Sequence, residues 1–454
     1  MSNFTKEKKL FGTDGVRGLA NQYPVTPDIA LKIGQAIGVL LKKKYKAKKH
    51  TVLIGKDTRI SGYMLEQALA SGLNSMGVWV QLTGPLPTPG IGFLAENMRM
   101  SAGIVISASH NPYHDNGIKI FFADGFKISS EDEKEIERLV LSEDMQGDTK
   151  SIGRTCRIVD AAGRYIVFAK RSFPKDLNLR SFKLVLDCAN GSSYKVAPAI
   201  FKEIGAEVIP IGNQPDGFNI NKQVGALHPE QMAEAVLKHK ADVGISLDGD
   251  GDRVIMSDEK GRIVNGDHIL GICAIHLKHQ NLLPHNKIVA THLSNTGLDE
   301  TLKTHGIEVV RSDIGDRNVV EVMRKENIIL GGESSGHIIF LNQSTTGDAC
   351  IAALNVLAAM KIQNKKLSQF RDSIKEKPQV QLKAPIKYKK DLETLPGYQD
   401  LISSSKKKLK EGGRVLVRFS GTESIIRVFV EGETLSIVQQ EAERITKFLG
   451  QNLS

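Results

Sequence analysis

Three stretches of this chain follow one plan, and that plan leaves few folds open. "TVLIGKD" (51–57), "KLVLDCA" (183–189) and "KIVATHL" (287–293) are β-branched apolar runs of the kind that form buried strands. Each passes into a polar Gly/Ser turn ("TRISG", "NGSS", "SNTG") and then a helical pattern ending at Gly77, Gly205 or Gly306. A second strand follows at once in "NSMGVWVQL", "KEIGAEVIPI" and "KTHGIEVVRS". Glycine at that point takes the left-handed cap without a Cβ clash. Parallel strands need a helical crossover, so three such units predict three α/β domains with largely parallel sheets. The loops at the carboxyl ends of those sheets are then the expected ligand sites.

The tail departs from the plan. After Pro378 come lysine-rich connections, then "RVLVRFSGTESIIRVFVEGE" (414–433), which reads as a pair of alternating strands, and a closing helix. This predicts a smaller α+β domain, with the chain divided at 1–152, 153–257, 258–374 and 375–454. At about 150 residues per domain, the 454 residues point to about three domains and are ample chain for real cores.

Net charge of +10 and a pI near 9.2 suit an anionic partner: nucleic acid, an acidic surface or a phosphorylated small molecule. Much of the excess sits in "LKKKYKAKKH" (41–50) and "SSSKKKLKEGG" (403–413), which read as solvated helix ends. Aromatic residues make up only 6% of the chain and do not interleave with these lysines, so nucleic-acid binding gains little support. The four cysteines are scattered without a CxxC pair, as expected in a reducing cytoplasm. "MSNFTKEKKL" has no apolar stretch behind it and no run is long enough to span a membrane, so neither a leader nor a membrane segment is expected.

Five stretches carry the residue types of a reaction. In "ADVGISLDGDGDRVIM" (241–256), Asp248, Asp250 and Asp252 alternate with glycines directly after an apolar strand. Three carboxylates so close repel unless a cation sits among them, and hard oxygens select Mg²⁺ or Ca²⁺. An EF-hand register puts Arg253 where a glycine is required and flanks the loop with strands. A phosphatase with Asp248 as nucleophile is the second rival. In "GIVISASHNP" (103–112), a buried strand runs into Ser107, Ser109 and His110 before Pro112 stops it. Ser109, read as exposed beyond the strand, is the better phosphoryl acceptor, and Pro112 argues against a zinc pair of His110 and His114. "VRFSGTESIIR" (417–427) offers Arg418, Ser420, Gly421, Thr422 and Arg427 as an anion cradle, or a hairpin with its arginines in water. "GGESSGHII" (331–339) puts Glu333, Ser335 and His337 on one turn, and "FGTDGVRG" (11–18) puts Arg17 in a glycine-rich turn.

"SASHNP", "DGDGDR", "GESSGH" and "RFSGTE", in this order and spacing, resemble the four signatures of the α-D-phosphohexomutase superfamily. "FGTDGVRG", "GKDTRISG", "VDAAGRYI", "IGDRNVV" and "TTGDA" resemble most its branch acting on glucosamine phosphates. The resemblance implies three mixed-sheet α/β domains around a central cleft and a TBP-like C-terminal domain. It implies a phosphorylated Ser109, with Mg²⁺ held by that residue, Asp248, Asp250 and Asp252. Arg17, Arg253 and Lys119 would line the transfer site, Lys119 and His337 serving as acid/base candidates and His110 joining the catalytic set. Glu333 and Ser335 would meet sugar hydroxyls, while Arg418, Ser420, Gly421, Thr422 and Arg427 hold the phosphate that does not react. The reaction implied converts glucosamine 6-phosphate to glucosamine 1-phosphate, for UDP-N-acetylglucosamine and cell-wall synthesis. Glucosamine 1,6-bisphosphate or glucose 1,6-bisphosphate would be the activating intermediate. The partner is a phosphosugar, with no nucleic acid and no membrane; monomer or homodimer is left open. Ser334 stands where asparagine is common in this branch, and Ser424 replaces the usual proline after "SGTE". A Ca²⁺- or nucleic-acid-binding protein would explain the charge and leave "SASHNP" and "RFSGTE" idle.

Overall fold

The computed structural model describes residues 9–12, 14–47, 49–142, 145–147, 149–410, 412–419 and 424–453. The chain forms two compact units, Met1–Leu293 with His305–Ser373, and Ser294–Thr304 with Ile374–Ser454.

The first unit repeats one sheet plan three times. In the first sheet, Thr51–Lys56 lies parallel between Trp79–Pro85 and Ala102–Ile106. In the second, Lys183–Asp187 lies parallel between Glu207–Ile211 and Val243–Leu247. In the third, Lys287–Thr291 lies parallel between Glu308–Ser312 and Leu330–Gly332. The predicted glycines end the helices of all three repeats with φ of +77°, +108° and +64° at Gly77, Gly205 and Gly306. The sheets are less parallel than expected, because each adds a strand running backwards: Asp115–Phe122, Val254–Ser257 and Ile338–Phe340. These reversals carry residues 107–114, 248–253 and 333–337, which belong to three of the five stretches quoted above. The parallel strands read as continuous apolar runs because helices cover both faces. Ile54, Ile104, Ile106, Leu186, Ile245 and Val289 are buried, each contributing about 1.5–3 kcal/mol.

Arg17 does not lie in a turn. It belongs to the strand Gly15–Leu19, paired antiparallel with the strand that carries Lys119. Thr155–Arg157 adds a further strand to the first sheet, beside Trp79–Pro85.

The second unit is a three-stranded antiparallel sheet, with Ile425–Glu431 between Gln379–Pro385 and Arg414–Phe419. The helix Leu435–Asn452 closes over it, burying Val438, Ala442, Ile445 and Leu449 against Ile426, Val428 and Val430. Buried Glu431 ties in the detached segment, accepting from Thr296 Oγ1 at 2.7 Å and Arg414 Nε at 2.9 Å. Among the described residues no helix is long and apolar enough to cross a membrane, and the four cysteines are free.

Candidate active site

Ser109 is buried, at 1% exposure, which corrects the expectation of an exposed hydroxyl. The aspartate loop packs onto it, and its Oγ donates to Asp248 Oδ2 at 2.7 Å. Its backbone is left-handed at φ +52°, a conformation that costs a non-glycine residue about 1–3 kcal/mol unless its surroundings impose it. They do so here. Ser107 Oγ accepts from Ser109 N at 2.8 Å and donates to Asp57 Oδ2 at 2.6 Å. Fully buried Arg59 is held by Asp57 at 2.7 Å and donates to the carbonyls of Ser109 (3.0 Å), Asn111 (2.8 Å) and Asp115 (3.0 Å). Asn221 Nδ2 reaches the Ser109 carbonyl at 2.9 Å. His110 Nδ1 is 3.3 Å from Ser109 Oγ, and burial, with Arg253 and Arg17 nearby, pushes its pKa down to about 4. That ring is neutral at pH 7.

The three aspartates are buried and offer oxygens that all lie within 4.8 Å of one another. Asp248 has both oxygens engaged by the protein, whereas Asp250 and Asp252 have one each. Asp248 Oδ1 accepts from the backbone of Asp252 and Arg253, both at 3.1 Å. Asp250 Oδ2 accepts from Thr88 Oγ1 at 2.7 Å and Lys119 Nζ at 3.0 Å. Asp252 Oδ2 accepts from Lys119 Nζ at 3.4 Å. Asp250 Oδ1 and Asp252 Oδ1 are buried and accept no hydrogen bond among the described residues. Burial, reinforced by the Asp252 and Asp250 charges, pushes Asp248 well above the usual carboxylate range. Converging oxygens, two of them without a hydrogen bond, and this mutual repulsion fit a hard divalent cation such as Mg²⁺. Strands flank the loop, so it is not an EF-hand.

Burial alone would lower the Lys119 pKa, but Asp14, Asp250 and Asp252 overcome it and hold the ammonium well above its ordinary value. His337 is buried on the turn after Leu330–Gly332. Gly347 N donates to its Nε2 at 3.2 Å, which in the neutral ring leaves the proton on Nδ1, 3.7 Å from Asp252 Oδ1. Burial disfavours a second proton; Asp252 and Asp316 favour it, and the pKa lies above the ordinary histidine value. Glu333 Oε1 accepts from Gly315 N at 3.0 Å, and Ser335 is exposed at the tip of the turn. Arg253 lies 3.9 Å from Asp252, and Arg17 pairs with Asp14. Ser109, His110, Lys119, the three aspartates, Arg17, Arg253, Glu333, Ser335 and His337 thus belong to one compact unit.

Arg418 and Arg427 belong to the other unit, directly opposite one another on paired strands. Ser420, Gly421 and Thr422 lie outside the described residues.

The whole chain matches known proteins. Models of phosphoglucomutase/phosphomannomutase α/β/α domains I, II and III match residues 8–147, 164–261 and 265–377, and that of the C-terminal domain matches 379–448. The chain belongs to the phosphoglucomutase/phosphomannomutase family. It is 59% identical over 455 residues to the phosphoglucosamine mutase of Bdellovibrio bacteriovorus, covering 99% of this chain and 100% of that one. A Burkholderia thailandensis protein of the family has a TM-score of 0.80 at 23% identity, over 98% of this chain and 99% of its own. Aspergillus fumigatus N-acetylphosphoglucosamine mutase, solved with GlcNAc-6P and magnesium, gives 0.68 at 17%, over 98% and 96%. The architecture is accordingly three mixed-sheet α/β domains and a C-terminal α+β domain.

Four residues of this family member went unread in the sequence. Thr88 holds Asp250 twice, its N donating to the Asp250 carbonyl at 2.8 Å besides the hydroxyl contact. Asp57 and Arg59 lie in "GKDTRISG", where a charged pair directly after an apolar strand was the available signal. Nothing local marks Asn221, whose partners are 110 and 112 residues away.

Proposed function

We propose that this chain interconverts glucosamine 6-phosphate and glucosamine 1-phosphate through phosphorylated Ser109 and a hexosamine 1,6-bisphosphate. The observation that carries this is the buried Ser109 hydroxyl, 2.7 Å from one of three converging aspartates. A hydroxyl placed there can receive and return a phosphoryl group, a reaction that needs positioning and charge neutralisation above all. Asp248, Asp250 and Asp252, with the phosphoserine, would hold Mg²⁺, which neutralises charge on the phosphoryl group. Lys119, kept protonated by its carboxylates, stabilises the transferring group and serves as the acid, with Arg17 and Arg253 adding positive charge. His337 orients Asp252 through Nδ1 and is the second acid/base candidate. Neutral His110, with Nδ1 3.3 Å from Ser109 Oγ, joins the catalytic set.

In the second unit, Arg418 and Arg427, with Ser420, Gly421 and Thr422, would grip the phosphate that does not react. The bisphosphorylated sugar then turns over, and its other phosphate returns to Ser109. Either glucosamine or glucose 1,6-bisphosphate would prime the enzyme. We assign it to the cytoplasm, with domain boundaries near residues 152, 257 and 374, and with a phosphosugar, not nucleic acid or membrane, as partner.

Glu333 and Ser335 would read the sugar. A carboxylate that pairs with the C2 ammonium is left poorly paired by a hydroxyl, which costs about 1–3 kcal/mol, roughly ten- to a hundred-fold. Glucosamine 1-phosphate should therefore show higher kcat/KM than glucose or mannose 1-phosphate, and EDTA should stop all three reactions. Equal turnover of mannose 1-phosphate would reject the sugar assignment, and activity indifferent to EDTA would reject the metal.

A further inference from the structure

Six side chains close a ring of alternating basic and acidic groups. Lys119 Nζ lies 3.3 Å from Asp14, Asp14 pairs with Lys127, and Lys127 pairs with Asp316. Asp316 Oδ2 lies 3.8 Å from His337 Nε2, His337 Nδ1 lies 3.7 Å from Asp252 Oδ1, and Asp252 Oδ2 returns to Lys119 at 3.4 Å. All six belong to one compact unit. The stretches matching domain models I, II and III supply three, one and two of them.

Lys127 and Asp316 have no hydrogen bond or ion pair to Ser109, Asp248, Asp250 or Asp252 among the described contacts, and their side chains are 16% and 17% exposed. Asp316 sits in a segment that does two further things. Gly315 N holds Glu333 Oε1 at 3.0 Å. Arg317 forks onto Glu133 at 2.6 and 3.1 Å and reaches the Ile128 carbonyl at 3.1 Å. A partly buried ion pair adds little net stability and can set register between packed parts. Here the register concerns a lysine from the first sheet and an imidazole and a sugar-reading carboxylate from one turn of the third.

We infer that Lys127 and Asp316 are positioning residues whose ion pair sets Lys119, His337 and Glu333 against the aspartate loop. This rests on the mutase reading above. Misplacement of reacting groups by about 1 Å costs roughly a hundred-fold in rate.

The test is a double-mutant cycle on the full chain with glucosamine 1-phosphate and Mg²⁺, recording kcat, KM and the thermal midpoint of each protein. Lys127→Met and Asp316→Asn should each lower kcat about 10- to 100-fold, with KM changed less than about threefold. The double variant should be no worse than the poorer single variant, and Lys127→Arg should recover most of kcat. Losses that multiply in the double variant, or lowered thermal midpoints at normal kcat, would overturn the inference. Asp316→Asn keeps the side-chain shape, so it decides the question even if Lys127→Met does not fold. The wild-type assay separates the two readings: a wild type without mutase activity overturns the proposed function, whereas an active wild type with additive variants overturns only the positioning role.

Discussion

Around Ser109 the hydroxyl, the carboxylates and the lysine are each less than 5% exposed and tied to a protein partner. On the C-terminal hairpin, Arg418 stands exposed and Arg427 half-buried, on neighbouring strands in direct register. Both regions are read as phosphate sites, and the contrast follows from what each must do. Moving a phosphoryl group requires fixed charges in a poorly solvated pocket, where each is worth several times its value in water. Holding a phosphate that does not react requires only forked donors, and solvent helps it to leave. Between these two phosphate sites, the burial of charge goes with the proposed reacting end.

The hardest blow to that contrast is Ser109→Ala. Loss of the acceptor should lower turnover more than about 10³-fold, with the unfolding midpoint little changed because Arg59 and Asn221 hold the loop through backbone carbonyls. Intact-mass measurement should find phosphate on a fraction of wild-type molecules and none on the variant. Near-normal turnover in the variant would place the acceptor elsewhere, with Ser107 the next to replace.

Much of this was legible from the residues alone, for local reasons. A β-branched run followed by Gly/Ser and a capping glycine specifies strand, helix and turn within about 25 residues, and the three repeats formed as expected. The aspartate loop was legible because carboxylates 248, 250 and 252 cannot avoid one another. What escaped depends on partners distant in the chain. Thr88 meets Asp250 across 162 positions, and Lys127 meets Asp316 across 189. Arg17 looked like a turn residue because Gly15 and Gly18 around it masked a strand that forms by pairing with residues 11–12 and 115–118. Ser109 looked exposed for the same reason, since its cover comes from a different sheet.

A smaller and different effect is expected at the open region. Arg418→Ala should raise KM for glucosamine 1-phosphate about 10- to 100-fold, the value of a charged, forked hydrogen bond, and change kcat much less. Arg418→Lys should recover only part of the affinity, because an ammonium cannot fork. A loss confined to kcat would mean that the hairpin takes part in transfer, and the division between reacting and holding ends would fall.

The last test measures what burial of charge costs the first unit, away from the serine. Asp348 is 2% exposed, caps the helix Ala349–Gln363 through Ile351 N at 3.0 Å, and accepts from Tyr165 Oη at 3.0 Å. Burial outweighs these donors and pushes its pKa up to about 6. An unfolded aspartate titrates near 3.9. Between those values the folded chain binds the extra proton, so this group's contribution to stability falls as pH rises from about 4 to 6 and stays lowered above that. The gap from 3.9 to about 6 corresponds to about 3 kcal/mol. Asn at 348 is neutral at every pH and can still accept from Ile351 N, while Gly347 keeps its place against His337. Asp348→Asn should therefore unfold at higher denaturant than wild type at pH 7.5, with the gap closing toward pH 4 and turnover changed only a few-fold. A gap independent of pH would show that the carboxylate titrates normally, and that the first unit bears this buried charge at no cost.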